Sequence, residues 1–190
     1  MSATLKAVVM GCSAGGMSAL RTVLADVRKD FCWPILVVCH TGSEDVTTFC
    51  DLIGMASTLP VREARERHLA QAGIVHVAPT GYHLLVEQGG RFSLSVDERV
   101  AFARPAIDVL FDSAAGVFGG GLIGVVMTGA NNDGAAGLKR VRERGGIAIV
   151  QDPASAEAAT MPQAALDIAG ADHCVPLKGI APLLNRLCQP

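Results

Sequence analysis

The 190-residue sequence is poor in aromatic residues and has no excess of charge of either sign. Phe, Trp and Tyr make up 4% of the chain, which disfavours the stacking surfaces that bind single-stranded nucleic acid. The 16 basic and 18 acidic residues give a formal net charge of −2, so we expect no general attraction to nucleic acid or to anionic lipid. Half of the residues are hydrophobic, which excludes disorder and predicts a single globular domain over residues 1–190.

Signals for secretion, membrane insertion and cross-linking are also missing. The first six residues lack the charged and apolar regions of a signal peptide. The longest apolar stretch, residues 117–130, is too short and too rich in glycine to span a bilayer. The six cysteines form no C-x-x-C pair, so we interpret them as reduced thiols rather than as a zinc or disulfide framework. These absences predict a soluble cytoplasmic protein.

Short apolar runs alternate with amphipathic helical patterns along most of the chain. Strand-like runs at 6–10 and 34–39 are each followed by a helical pattern, over 15–28 and 44–55. Residues 60–97 instead hold four strand-like runs with no helical pattern among them, and the last two flank a Gly-Gly turn. The alternation then returns and lasts to the end of the chain. We therefore predict an α/β fold: a three-layer α/β/α sandwich with a mostly parallel, doubly wound sheet, and with residues 60–97 as an antiparallel insert that includes the hairpin.

Three polar side chains with reactive groups follow three of the predicted strands. Ser13 follows the first strand, His40 follows the second, and Asp133 follows a strand predicted over 122–127. Because the carboxyl ends of parallel strands meet at one edge of a sheet, we expect the three to lie together. A serine needs a base to take its proton, and the base needs a third group to fix its tautomer. The set predicts acyl transfer with Ser13 as nucleophile, His40 as base and then acid, and Asp133 as the orienting carboxylate.

Backbone N–H groups beside these residues are candidates for stabilising an oxyanion. The N–H of Ala14 lies at the start of the helix that follows Ser13, and a second donor would come from the Gly129–Ala130 backbone. The remaining histidines lack the spacing of metal ligands. We therefore expect no metal at this site.

Simpler interpretations of the same residues stay open. Ser13 and Asp133 both precede predicted helices, where each would serve as an N-cap, and His40 would be an ordinary strand-end residue. Residues 11–15 match the G-x-S-x-G elbow of α/β-hydrolases, but the order Ser, His, Asp is not theirs. A dinucleotide site is disfavoured, because Ser13 replaces a glycine of G-x-G-x-x-G. The basic residues of 139–144 read as a solvated helix face, with a docking surface for an acidic partner as the alternative.

Six motifs in order resemble the catalytic domain of the chemotaxis protein-glutamate methylesterase family, CheB. They are GCSAGG at 11–16, His40 after its apolar strand, APTGYHL at 78–84, RPAIDVLF at 104–111, MTG with DGAAG at 127–137, and QDP with MP at 151–162. The resemblance implies hydrolysis of γ-glutamyl methyl esters on the cytoplasmic helices of methyl-accepting chemoreceptors, and deamidation of certain glutamines by the same chemistry. It implies no metal or organic cofactor. A separate receiver or methyltransferase protein is a further candidate partner.

The resemblance places the catalytic triad on Ser13, His40 and Asp133, and the oxyanion donors on the backbone of Ala14 and Ala130. The chain departs from the family pattern in three places. Ala14 replaces the usual Thr, Thr41-Gly42 replaces Met-Pro, and Ala130-Asn131 replaces Met-Gly. These changes predict an altered pocket and leave a second hypothesis open, a catalytically weak module that binds a chemoreceptor or signalling partner. The first strand begins a few residues after Met1, so we expect a catalytic domain without the receiver domain usual in the family.

Overall fold

The computed structural model describes residues 6–42 and 45–189, in which strands and α-helices alternate except for four consecutive strands between the second and third helices. The strands are β1 (Ala7–Cys12), β2 (Ile35–Cys39), β3 (Val61–Glu63), β4 (Val75–Val77), β5 (His83–Glu87), β6 (Arg91–Ser95), β7 (Leu122–Val126), β8 (Ile147–Gln151) and β9 (His173–Val175). The helices are α1 (Gly16–Asp26), α2 (Val46–Gly54), α3 (Ile107–Phe118), α4 (Ala135–Glu143), α5 (Thr160–Ile168) and α6 (Leu177–Leu187).

Seven of the strands form one parallel sheet in the order β3-β4-β2-β1-β7-β8-β9. The chain leaves the central strand β1 toward β2 and later returns on the other side of β1 with β7. The strand order therefore reverses between β1 and β7, which is where open α/β sheets form a crevice at their carboxyl edge. Gly11 of β1 aligns with Val38 of β2 and with Val126 of β7, so the three strands end level with one another.

Helices cover both faces of this sheet. Along β1, Val8 and Met10 pack into a core with α1, α2 and α6, whereas Ala7 and Val9 pack into a second core with α3, α4, α5 and the β5–β6 hairpin. Burial on both faces explains why β1 is a continuous apolar run instead of an alternating one. In the described ranges, no helix has the length and apolar character needed to cross a membrane.

The predicted α/β/α class with a mostly parallel sheet and an antiparallel hairpin is confirmed, but the insert is smaller than residues 60–97. Among the strands of the described residues, only β5 and β6 pair antiparallel, with His83 opposite Ser95. The expectation that the earlier strands belong to the insert is wrong, because β3 and β4 join the main sheet in parallel. The connection between them, residues 64–74, contains no helix, so the sequence lacks the usual sign of a parallel crossover.

The basic stretch 139–144 lies on α4 and the turn that follows, where two of its arginines form ion pairs. Arg140 pairs with Asp112 of α3 and with Glu143, and Arg142 pairs with Asp172 ahead of β9. All of these side chains are well exposed, and exposed pairs of this kind contribute little to stability. The pairing supports the interpretation as a solvated helix face.

His76 on β4 is a histidine buried away from the predicted site. Its side chain packs edge-on against Phe92, with 4.9 Å between the ring centroids, and its Nε2 accepts a hydrogen bond from the Gln71 N–H. The residue is only 5% exposed. Burial lowers the pKa of His76 to about 4, because the charged ring would lose its hydration.

This burial predicts that His76 makes the folded protein sensitive to acid. A histidine whose folded pKa lies below the unfolded value of about 6.5 binds its proton more strongly when the chain is unfolded. The contribution of neutral His76 to the free energy of unfolding is therefore fully present above about pH 6.5. It is lost as the pH falls toward the folded pKa. We expect His76→Gln to reduce the stability loss between pH 7 and pH 5 by about 1–2 kcal/mol, measured by urea unfolding. His173→Gln, on the partly exposed β9, serves as the control and should follow the wild type. Identical pH dependence in His76→Gln and the wild type would show that this burial is unimportant.

Candidate active site

Ser13 and His40 are the first residues after β1 and β2, and backbone hydrogen bonds hold them beside each other. The Ser13 N–H donates to the Thr128 carbonyl across 2.9 Å, and the His40 N–H donates to the Cys12 carbonyl across 3.0 Å. Ser13 thus lies between the ends of β2 and β7. Because the strand ends are level at the centre of the sheet, both residues lie at the carboxyl edge where the sequence predicts them.

The turn after Ser13 depends on glycine. Gly15 has a φ of +76°, and a Cβ atom on Gly16 would lie within 2.9 Å of the Cys12 and Cys39 sulfurs. These two glycines let α1 begin directly behind the strand ends. The N-cap of α1 is Gly15 and no side chain caps this helix, so the alternative that Ser13 is an N-cap is wrong.

Asp133 lies in the loop between β7 and α4 and is completely buried. Its Oδ2 accepts from the Ile107 N–H (2.7 Å) and its Oδ1 accepts from the Asp108 N–H (2.9 Å). The carboxylate therefore caps α3, whereas the N-cap residue of α4 is Gly134 and Asp133 accepts no hydrogen bond from that helix. The alternative that Asp133 caps the helix following it is wrong. The same Oδ2 lies 2.9 Å from the His40 Nε2.

A second carboxylate, that of Asp108, forms the corresponding contact in the opposite direction, from α3 to the start of α4. Asp108 in the first turn of α3 accepts from the Gly137 N–H in the first turn of α4, across 2.6 Å. Burial raises the pKa of Asp108, and hydrogen bonds from the α4 backbone act in the opposite direction. Each of the two packed helices is therefore held at its start by a carboxylate from the other side of their interface. This pairing fixes the position of Asp133.

The other ring nitrogen of His40 faces a residue that the sequence reasoning did not single out. His40 Nδ1 lies 3.3 Å from the Asn131 Nδ2, and the Asn131 Oδ1 accepts from the Asp133 N–H across 3.0 Å. Asn131 stands two residues before Asp133 in the strand-end loop, and its departure from the family motif was the available signal. Within the described residues, the Ser13 hydroxyl forms no hydrogen bond with His40. The sequence-predicted His40 and Asp133 are thus in contact, with Ser13 nearby.

A cavity of about 310 Å³ opens beside these residues. Ser13, His40 and Asn131 contribute to its wall, and another part of the wall is formed by Arg99 and residues 101–105. The Arg104 guanidinium holds this wall by donating to the carbonyls of residues 96 and 97. The volume is at the lower end of ordinary small-molecule sites, and it suits a single side chain better than a whole helix.

The two predicted oxyanion donors lie on exposed turns at the carboxyl edge, outside the residues that line this cavity. Thr128 Oγ1 donates to the Ala14 carbonyl (2.8 Å) and accepts from the Ala158 N–H (2.9 Å), which fixes the Ala14–Gly15 peptide. The Gly129 N–H donates to the Ala158 carbonyl. No described residue accepts a backbone hydrogen bond from the N–H of Ala14 or Ala130. Both groups therefore remain available as donors, and Gly129 does not.

Metal-ligating residues do not gather here. In the described part of the chain, no group of three or more His, Cys, Asp and Glu side chains is arranged to hold a metal ion. The titratable pair at the cavity is His40, whose side chain is 15% exposed, and the buried Asp133. A serine, an imidazole hydrogen-bonded to a carboxylate, and free backbone donors at one edge form a set suited to acyl transfer.

Comparison with known proteins assigns this geometry to a family. The family model for CheB methylesterase matches residues 8–184. The chain belongs to the CheB methylesterase family. Its fold agrees with the crystal structure of the Thermotoga maritima CheB methylesterase catalytic domain, with a TM-score of 0.92 and 31% identity, over 96% of this chain and 98% of that one. The family predicted from the sequence motifs is confirmed.

Two relatives show how much of a CheB protein the chain represents. A Leptospira interrogans protein named putative protein-glutamate methylesterase/protein-glutamine glutaminase is 44% identical, over 97% of this chain and 95% of that protein. A protein-glutamate methylesterase/protein-glutamine glutaminase from Mesorhizobium japonicum is 37% identical, over 96% of this chain but 54% of its own length. The chain thus spans about half of the second relative. The expectation of an enzyme, a carboxylic-ester hydrolase, is confirmed at the level of the CheB family.

The buried contacts of Asp133 predict a large structural cost when the carboxylate is removed. Asp133→Ala leaves the Ile107 and Asp108 N–H groups without acceptors, and we expect a loss of about 3 kcal/mol in the free energy of unfolding. Asp45 is an exposed residue that also accepts from two helix N–H groups, those of Thr47 and Thr48. Asp45→Ala is therefore a matched control with an expected loss of about 1 kcal/mol. Equal losses in urea unfolding would contradict the argument from burial.

Proposed function

We propose that the chain is a protein-glutamate methylesterase that hydrolyses γ-glutamyl methyl esters on cytoplasmic chemoreceptor helices, with Ser13, His40 and Asp133 as its triad. The observation that carries the proposal is the 2.9 Å contact between His40 Nε2 and the buried Asp133 Oδ2, with His40 and Ser13 lining one cavity. The names of the relatives supply the substrate class. The proposed reaction places the protein in the cytoplasm, where such receptor segments lie.

The first step is activation of Ser13. Asp133 accepts a hydrogen bond from the Nε2–H of His40 and stabilises the charge that the ring gains during the reaction. Nδ1 is then the ring nitrogen that takes the proton of the Ser13 hydroxyl. Catalytic hydrogen bonds are often long in the absence of substrate and shorten in the complex, so we expect Ser13 to close on Nδ1 when an ester enters the cavity.

Acylation follows from this proton transfer. Ser13 Oγ forms a bond to the ester carbonyl carbon, and the negative charge moves to the carbonyl oxygen. The free N–H groups of Ala14 and Ala130 stabilise that oxyanion. His40 then donates its proton to the methoxy oxygen, the C–O bond breaks, and methanol leaves. The product is a glutamyl ester of Ser13.

Deacylation repeats the same steps with water. A water molecule gives a proton to His40 and attacks the acyl carbon, and His40 returns the proton to Ser13 Oγ as the acyl bond breaks. The substrate regains a glutamate carboxylate. When the substrate is a glutamine side chain, ammonia leaves in place of methanol, so one site serves both activities in the names of the relatives.

Removing the nucleophile or the base tests the proposal directly. With receptor membranes carrying labelled methyl esters, we expect Ser13→Ala and His40→Ala to lower methanol release by a similar factor, on the order of a million-fold. Ser93→Ala, a serine of β6 outside the cavity lining, is the control and should match the wild type. Receptor binding without methanol release in the wild type would instead favour a binding module.

Asp133→Asn tests whether the orientation and tautomer of His40 matter, because this variant keeps the His40 ring itself. The amide keeps one oxygen as an acceptor but disturbs the tautomer of His40, and we expect methanol release to fall by about 10⁴-fold. Stability should fall less than in Asp133→Ala, because part of the α3 contact survives. A normal rate in a destabilised protein would reduce Asp133 to a helix cap.

A further inference from the structure

Asn131 contacts both members of the His40–Asp133 pair through its side-chain amide. Its oxygen accepts from the Asp133 N–H at 3.0 Å, and its nitrogen lies 3.3 Å from His40 Nδ1. The backbone N–H can only donate, so it determines which end of the amide is the oxygen. The nitrogen is therefore the end that faces the imidazole.

This orientation has a consequence for the proton of the ring. An amide nitrogen only donates, so His40 Nδ1 must act as the acceptor and carry no proton. The ring proton then lies on Nε2, where it is donated to the Asp133 carboxylate. The two neighbours of the ring thus favour the same tautomer from opposite sides. It is the tautomer in which the nitrogen assigned to Ser13 is free to take a proton.

We propose that Asn131 is a positioning residue that keeps His40 Nδ1 free of a proton until Ser13 delivers one. The inference rests on the proposed function, since it assigns His40 as the base of Ser13. A glycine at this position, as in the usual motif that the sequence resembles, would have no side chain to form this contact. At 3.3 Å the hydrogen bond is long, and it yields to the O–H of Ser13 when substrate is bound.

The same contact acts on the second half of the proton transfer. Once Nδ1 carries the proton of Ser13, its N–H faces the N–H of the Asn131 amide, and two donors cannot form a hydrogen bond. The proton on Nδ1 is therefore donated to the substrate oxygen and not to Asn131. This directs the proton to the methoxy group as methanol leaves.

Two substitutions separate this role from a structural one. Asn131→Asp keeps an oxygen for the Asp133 N–H but puts a carboxylate oxygen against Nδ1 in place of the donor. With carboxylates at both nitrogens, the ring is stabilised as a cation and the base is lost. Asn131→Ala removes both contacts. Asn132→Ala is the matched control, because this neighbouring asparagine is exposed and its side chain forms no hydrogen bond to the described residues.

The experiment combines rates with nitrogen NMR of the His40 ring in the full chain at pH 7, assigned by loss of its signals in His40→Ala. On a peptide with a γ-methyl glutamate, we expect kcat to fall about tenfold in Asn131→Ala and about a hundredfold in Asn131→Asp, with KM within about twofold. Asn132→Ala should match the wild type. The spectrum should show a proton on Nε2 alone in the wild type and on both nitrogens in Asn131→Asp.

Two results would overturn the inference. Asn131→Asp with the ring spectrum and kcat of the wild type would leave Asn131 a purely structural residue. A wild-type ring already protonated at Nδ1 would contradict the assigned tautomer. If Ser13→Ala cleaves the peptide as fast as the wild type, the proposed function fails, and the ring spectra still decide whether Asn131 controls the proton on His40.

Discussion

The buried carboxylate of Asp133 is the interaction on which the site depends. It accepts hydrogen bonds from the first two N–H groups of α3 and from His40, so one side chain joins the loop after β7, the start of α3 and the loop after β2. A fully buried carboxylate is tolerated only when its oxygens accept such hydrogen bonds, and the positive end of a helix is a favourable neighbour for it. The same contacts that allow Asp133 to be buried also fix the direction in which it faces His40.

The parallel sheet supplies the other half of this arrangement. β1 lies between β2 and β7 with the three strand ends level, which brings the loops carrying Ser13, His40 and Asp133 to one edge. Glycines at the start of α1 keep the helix close behind that edge, and Thr128 ties the loop after Ser13 to the segment before α5. The cavity is therefore bounded by short loops that start from buried strands, which keeps its polar groups in place.

His40 lies between two polar neighbours of different kinds. A carboxylate at Nε2 stabilises positive charge on the ring, whereas an amide N–H at Nδ1 disfavours a proton there. Contacts at both ring nitrogens hold the imidazole in one orientation, and acyl transfer requires an oriented base.

Much of this protein follows from local sequence patterns. Alternating apolar runs and helical periodicities predict the layered α/β/α fold, and Ser13 and His40 stand directly after apolar strands, so their place at the carboxyl edge follows from the rule for parallel sheets. These features are local, because the periodicity of a segment and the position of a residue after a strand depend only on residues close in sequence. The roles given to Ser13, His40 and Asp133 remain predictions.

Other features depend on contacts between distant parts of the chain. The partner of Asp133 is a helix that begins 26 residues earlier, and the sequence suggested the adjacent helix instead. The parallel pairing of β3 and β4 and the direction of the Asn131 amide depend equally on the path of the backbone. A hydrogen bond forms with whichever group the fold brings within about 3 Å, and no spacing along the chain specifies that group.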